Sequence, residues 1–226
     1  MTRTILFLVF GLTGIAVLVS LGMWQVQRLA WKEGVLAQID ARIAAPPVAL
    51  PQSADPEMDK YLPVEMTGQF GPGVLRVLVS QKRVGAGYRL ITPFEFEDRS
   101  VLVDRGFIRV GEALSPAPAG QVTVTGNLHW PDDRNSSTPD NDVDDNTWFA
   151  RDIDQMADLL GTEPLLVVAR NLSQPGGAVT PLPVDSSAIP NDHLQYAVTW
   201  FGLAAIWTVM MLYFVYRLRN PAKGQA

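Results

Sequence analysis

The chain has 226 residues, of which 18 are basic and 23 acidic, and contains no cysteine. The lack of cysteine excludes disulfides, thiolate metal sites and thiol nucleophiles together. Once the four cations near the two ends, Arg3, Arg217, Arg219 and Lys223, are set aside, 14 basic residues face 23 acidic ones, so nucleic acid is excluded as a partner of the middle of the chain.

Residues 1–4 form a short tail, and residues 5–24 are an uncharged run rich in Leu, Val and Phe, long enough for a transmembrane helix. A cleaved signal, with Ser20-Leu21-Gly22 as a small-residue site, is the rival reading. The run exceeds the 7 to 15 residues usual for a signal core and continues into a helical pattern, which favours an anchor. Residues 25–44 keep that pattern, with Leu29, Leu36 and Ile39 on related faces, and prolong the span outward until Ala45-Pro46-Pro47 ends it.

Beyond a connector punctuated by prolines, residues 64–70, 74–80, 88–96, 101–110, 122–130 and 165–170 are rich in Val, Ile, Phe and Thr, with Gly- and Pro-containing breaks between them. These predict an antiparallel meander. Residues 131–146 hold six aspartates and one apolar residue, Val143, and are expected to be a solvated or disordered loop. Residues 152–160 predict a helix capped by Asp152 or Asp154 and stopped by Gly161. Residues 25–192 thus read as one α+β domain dominated by antiparallel sheet or a partial barrel.

Residues 194–216 are a second uncharged run, preceded by His193 and followed by Arg217 and Arg219. Basic residues after this run and none in the twenty before it place the C-terminal tail, residues 217–226, in the cytoplasm. Two spans, 5–24 and 193–216, then put the N-terminus there too. Arg28 and Lys32 sit on the wrong side of the first span for this rule. With no presequence before the first span, the chain reads as a multi-pass protein of a bacterial inner membrane with a periplasmic domain.

Most constellations that could carry chemistry are incomplete. His129 with Ser136 or Ser137 and an aspartate could suggest a hydrolase triad, but no nucleophile elbow frames either serine. Asp132, Asp133, Asp140, Asp142, Asp144 and Asp145 lack the glycine and the terminal glutamate of a calcium loop. Gly85-Ala86-Gly87 reads as a hairpin or bulge rather than a dinucleotide fingerprint. His129 beside Trp130 reads as a satisfied surface histidine. No enzymatic activity is expected.

The ends of the two spans are more informative. Trp24, Arg28 and Trp31 are spaced i, i+4, i+7, with Lys32 at i+8, so two indoles and two cations share a helix face. His193, Tyr196, Ala197 and Trp200 share a face of the second helix. Each set alone fits an interfacial belt with snorkelling cations. Together they supply an imidazole donor, flat apolar walls and cations for carboxylates, which is what a haem requires. Gly11, Gly14, Ala16 and Ser20 on the first span, and Gly202, Ala204 and Ala205 on the second, would permit close helix packing.

Four blocks resemble the Surfeit locus protein 1 family, the cytochrome c oxidase assembly factors. They are Leu21-Gly22-Met23-Trp24-Gln25-Val26-Gln27-Arg28-Leu29-Ala30-Trp31-Lys32, then Gly87-Tyr88-Arg89-Leu90-Ile91-Thr92-Pro93-Phe94, then Val101-Leu102-Val103-Asp104-Arg105-Gly106-Phe107-Ile108, and finally residues 191–202. The chain departs from the family pattern at Asp104, where Asn is frequent, and at Arg109, where proline is frequent. The resemblance implies an assembly factor that binds haem a and assists its delivery to the catalytic subunit of a haem-copper oxidase, acting beside haem a synthase or other assembly factors. It implies His193 as the axial ligand of the haem iron, with Tyr196 and Trp200 as neighbours on the same signature. From spacing, Arg28 is a partner for a propionate, with Trp24, Trp31 and Lys32 completing the haem-binding set. Whether two helices or two protomers of a homo-oligomer complete the site stays open. The competing readings are a scaffold for oxidase subunits that binds no cofactor, a copper carrier and a membrane-anchored hydrolase.

Overall fold

The computed structural model describes residues 2–82, 84–187 and 189–219. Lys223 of the C-terminal tail lies outside the described residues. The chain forms two compact units: one comprises the N-terminal segment to Gln38 together with everything from Ser187 onward, and the other comprises residues 39–186.

The first unit is a pair of long helices, α1 (Thr2–Ile43) and α3 (His193–Arg219). Both are long and apolar enough to cross a membrane. Proline is absent from α1 until the helix has ended, and the glycines within it do not interrupt its hydrogen bonding. Along α1 the buried or half-buried positions Phe7, Gly11, Gly14, Leu18, Gly22 and Gln25 recur every three to four residues, and along α3 Ala197, Ala204 and Met211 recur every seven. That spacing makes a narrow seam of the coiled-coil kind.

Contacts along the seam run in opposite senses on the two helices, so the pair is antiparallel. The rings of Phe7 and Phe214 lie 4.8 Å apart, and Phe10 meets Trp207 at 6.1 Å. A Cβ added to Gly11 would lie 1.7 Å from Met211 Sδ, one on Gly14 3.1 Å from the Trp207 indole, and one on Gly22 2.7 Å from the Phe201 ring. Small residues therefore admit large partners, as in membrane helix pairs. The small residues are only partly those expected. Ala16, Ser20, Gly202 and Ala205 are exposed rather than at the seam, and the Ser20 hydroxyl bonds back to the Ala16 carbonyl at 2.7 Å.

The second unit is built on a mixed sheet. Its strands are β1 (Val48–Ala49), β2 (Pro63–Phe70), β3 (Leu75–Gln81), β4 (Gly85–Phe96), β5 (Arg99–Arg109), β6 (Val122–Leu128), β7 (Thr147–Trp148) and β8 (Leu166–Leu172). Six of these match the strand segments read from sequence, while β1 and β7, two residues each, carry no periodicity to read. The order is β1-β2-β6-β8-β5-β4-β3-β7, and a further β2–β4 pairing closes a ring through β2, β6, β8, β5 and β4. A simple antiparallel meander is therefore corrected: β3, β4 and β5 follow one, but β8 enters between β5 and β6 and runs parallel to β5. The chain reaches that slot through α2 (Ile153–Leu160), the kind of crossover a parallel pairing demands.

Alternation of side chains on β5 explains why this strand is buried on both faces. Val101 and Val103 join Val64, Phe94, Val124 and Val167 in one core, whereas Leu102 joins Leu166, Val168, Trp148 and Met156 in a second core beneath α2. Full burial of each such side chain contributes about 1.5 to 3 kcal/mol. Gly161 ends α2 in the left-handed conformation, φ 66°, as its position predicts. Asp152 is the N-cap residue but makes no side-chain cap bond, because Arg134 and Asn141 take its carboxylate.

The acidic segment 131–146 is a largely exposed loop, as its composition predicts, but an ordered one held by specific bonds. Asn141 Oδ1 accepts from the backbone N–H groups of Phe149 and Ala150, Asp133 pairs with Arg151, and Asn146 donates its side-chain amide to the Val74 carbonyl at 2.8 Å. The end of α1 is also fixed within this unit, since the Ile43 carbonyl accepts from Asn127 Nδ2 and Arg170 Nη1, both at 3.1 Å.

Candidate functional site

The helix pair carries the residues to which the sequence drew attention. His193 is the first residue of α3 and Gln25 lies near the middle of α1, and the seam brings them together: His193 Nδ1 stands 2.8 Å from Gln25 Oε1. An amide oxygen has no hydrogen to give, so the imidazole donates from Nδ1. Nε2 then carries the lone pair. Gln25 is 8% exposed, a buried amide among apolar neighbours. Two residues before His193, the side-chain oxygen of Asn191 is also buried and has no hydrogen-bond partner among the described residues.

Of the other predicted site residues, Trp200 is half-buried, while Tyr196 is exposed and lies off the seam. On α1 the Arg28 guanidinium lies over the Trp31 ring, 4.3 Å from its centroid, so this part of the predicted cation and indole face is formed. Trp24 and Trp31 are exposed, and Lys32 is half-buried. Among the described residues neither Arg28 nor Lys32 is engaged by a carboxylate, which leaves both free to meet an acidic group from outside the chain. Gln25 was not among the predicted site residues. Its signal was present in the sequence, a polar side chain in register with Gly11, Gly14 and Gly22 on what becomes a buried stripe. Reading it required knowing which stripe faces α3.

The sheet domain holds a second polar constellation. Asp104, fully buried, accepts from Arg89 Nη1 at 2.5 Å and from the Gly106 N–H at 3.0 Å, and Arg151 Nη1 lies 3.9 Å away. Arg151 in turn donates to both carboxylate oxygens of Asp133, at 2.6 and 2.9 Å. Burial raises the Asp133 carboxyl, but the bonds and charge of Arg151 outweigh it and hold the group below its usual range. His129 lies beside this chain of charges and stacks on Tyr61 with centroids 5.7 Å apart. It is not a satisfied surface histidine: Nδ1 is buried without a hydrogen-bond partner among the described residues, and burial, reinforced by Arg151 and Lys60, lowers its pKa to about 4.

Neither of the more open features of the sheet domain gathers unspent chemistry. A cleft of about 700 Å³ is lined by Arg99, Trp130, Arg151 and Glu163, but Arg99 is forked onto Glu163 at 2.8 and 2.7 Å, and Arg151 is committed to Asp133. Arg105, 2% exposed and lowered in pKa by burial, donates to Thr92 Oγ1 and to the carbonyls of Ser115 and Pro116, pinning that loop to the sheet. Asp133, Asp145 and Asp152, from the acidic segment and the helix cap beyond it, are bound to Arg151, Thr147 and Arg134 respectively.

Two long apolar helices in antiparallel contact, each able by length and composition to cross a membrane, flank a mixed-sheet domain in the chain and define a class of protein whose polar seam residues lie at the head of the second helix. The profile of the SURF1 family matches residues 12–205, and the chain belongs to that family. It is 34% identical to Surfeit locus protein 1 of Homo sapiens over 217 residues, covering 82% of this chain and 70% of the human one. Surfeit locus protein 1 of Xenopus tropicalis is 33% identical over 84% of this chain and 70% of its own length. A bacterial relative, the SURF1-like protein of Rickettsia felis, is 32% identical, with 89% of this chain and 92% of that protein covered.

Proposed function

We propose that the chain is a membrane-bound assembly factor for a haem-copper oxidase that binds haem a at the head of the helix pair and assists its transfer to the catalytic subunit. The observation that carries this reading is the His193–Gln25 pair. An imidazole whose Nδ1–H is held by a buried amide presents Nε2 as a ready donor, and metal-bound histidines are characteristically oriented in this way. The rest of the donor set fits a haem. Arg28 is a cation with no carboxylate partner among the described residues and so suits a propionate, Trp31 and Trp200 offer flat apolar surface, and the Asn191 oxygen, also without a partner among the described residues, is an acceptor at the same helix start.

A bound haem would supply an iron that accepts a nitrogen donor and two carboxylates that need cations, and His193, Arg28 and Lys32 are the residues that would hold it. On this reading the chain protects and presents its cargo: His193 holds the iron, Arg28 and Lys32 meet the acidic edge, and the helix seam fixes the distance between them. Such a role also accounts for Arg28 and Lys32 lying on the side of the first span where the charge rule does not place cations. In this arrangement both spans cross a bacterial inner membrane, with both ends of the chain in the cytoplasm and the sheet domain in the periplasm.

The test is His193→Ala, purified from cells that make haem a. The variant is expected to insert normally and to lose co-purifying haem, while His129→Phe keeps it. Wild-type haem content and spectrum in His193→Ala would overturn the reading in favour of a scaffold without cofactor.

A further inference from the structure

The geometry points to Gln25 as the positioning residue for the His193 ligand: it selects the Nδ1–H tautomer and tunes the donor strength of Nε2. This rests on the proposed haem site and adds to it a residue on the other helix. A free neutral imidazole distributes its proton between both nitrogens. Here the acceptor 2.8 Å from Nδ1 is an amide oxygen, and Gln25 is buried, so water does not compete freely for it. The proton is thereby placed on Nδ1, and the ring is held in one orientation by a residue 168 positions away in the chain.

The seam supplies the rigidity such a role needs. Gly22, one turn before Gln25, sits against the Phe201 ring, and Ala197, one turn after His193, is buried. The missing side chain of Gly22 leaves the space the ring occupies, so the two helices approach closely at the level of the pair. A hydrogen bond between membrane helices otherwise contributes little to holding them together. Simple helix adhesion therefore predicts a small effect of Gln25 on folding and none on the iron. Orientation of a ligand predicts a change in metal affinity of about 10- to 100-fold when its partner is lost.

Gln25→Leu removes the acceptor and keeps the side chain's bulk, and Gln25→Glu replaces it with a stronger acceptor of equal size. In haem titrations Gln25→Leu is expected to bind at least about tenfold more weakly than wild type, and Gln25→Glu to retain binding. A stronger acceptor pushes electron density onto Nε2 and favours ferric iron, so the midpoint potential should rise in the order Glu, Gln, Leu. The haem-free protein offers an independent reading. It contains only two histidines, so ¹⁵N spectra at about pH 8.5, above the ordinary histidine range, resolve the His193 ring once His129→Phe has identified the other. Wild type should show Nδ1–H, and Gln25→Leu a shift toward Nε2–H. An Nε2–H ring in wild type, or equal affinity and potential in all three proteins, overturns the role of Gln25. If His193→Ala loses haem while the Gln25 variants match wild type, only this inference falls. If His193→Ala keeps its haem, the haem-site reading falls and takes the inference with it.

Discussion

Acid should destabilise the sheet domain in a way that traces to a single histidine. The His129 imidazole is held near 4 in the folded chain against an ordinary value of 6.5, first because it is buried and then because Arg151 and Lys60 oppose a further positive charge. Below pH 6.5 the unfolded chain takes up a proton that folded His129 refuses. The unfolded state then binds more protons, and stability falls as the pH drops. Above 6.5 the penalty is absent, and by about 4 it is complete. A gap of about 2.5 pH units at 1.36 kcal/mol each sets the loss at no more than about 3.4 kcal/mol, a large part of the 5 to 15 kcal/mol typical of a domain.

Asp133 and Glu163 do not obscure this window. Arg151 and Arg99 hold their carboxyls below the usual range, so their stabilisation is lost only as the pH falls below the ordinary carboxylate values, 3.8 for Asp133 and 4.5 for Glu163. Urea unfolding of the full chain in detergent, followed by proteolysis of the sheet domain at about pH 7 and pH 4.5, measures the effect. Wild type should lose about 2 to 3 kcal/mol between the two, and His129→Phe, which keeps a ring against Tyr61 but cannot titrate, less than about 1 kcal/mol. Equal losses in the two proteins would refute the assignment of the pH dependence to His129.

Asp104→Ala leaves Arg89 without its buried carboxylate and should cost about 3 to 5 kcal/mol, lowering the thermal midpoint by roughly 10 °C. Asp104→Asn keeps an acceptor for the Gly106 N–H and should cost about 1.5 to 3 kcal/mol, as for a lost bond to a charged group, with both read by circular dichroism. The register of the helix pair can be tested with Gly11→Cys combined with Met211→Cys, because the chain has no other cysteine and a Cβ at position 11 would lie against the Met211 side chain. Mild oxidation should close a disulfide in that variant, and not when Gly11→Cys is paired with Tyr213→Cys, since Tyr213 is exposed and lies two positions, more than half a turn, from the seam residue Met211. Equal crosslinking of both pairs would show that the helices do not share this register.

Sequence alone determined the features whose cause is local. Two uncharged runs of helical length, six strands with β-branched and aromatic residues between glycine and proline breaks, and a short helix stopped by Gly161 all follow from neighbours within a few positions. His193 stood out locally as well, as one of two histidines at the head of an apolar helix. Tertiary structure decided what depends on partners distant in the chain. The insertion of β8 between β5 and β6 and the closure of β2 on β4 are choices among strands whose apolar patterns are nearly interchangeable, so periodicity cannot rank them. The depth of His129 is set by Tyr61 and by the Arg151–Asp133 pair, neither of which marks residue 129 in sequence. The ordered acidic segment owes its shape to single polar contacts, such as Asn141 onto the Phe149 and Ala150 backbone, that composition hides. Gln25 is the clearest case: its register with Gly11, Gly14 and Gly22 separates it from Gln27 in the sequence, but only the packing of the two helices decides that this stripe faces α3 and meets His193.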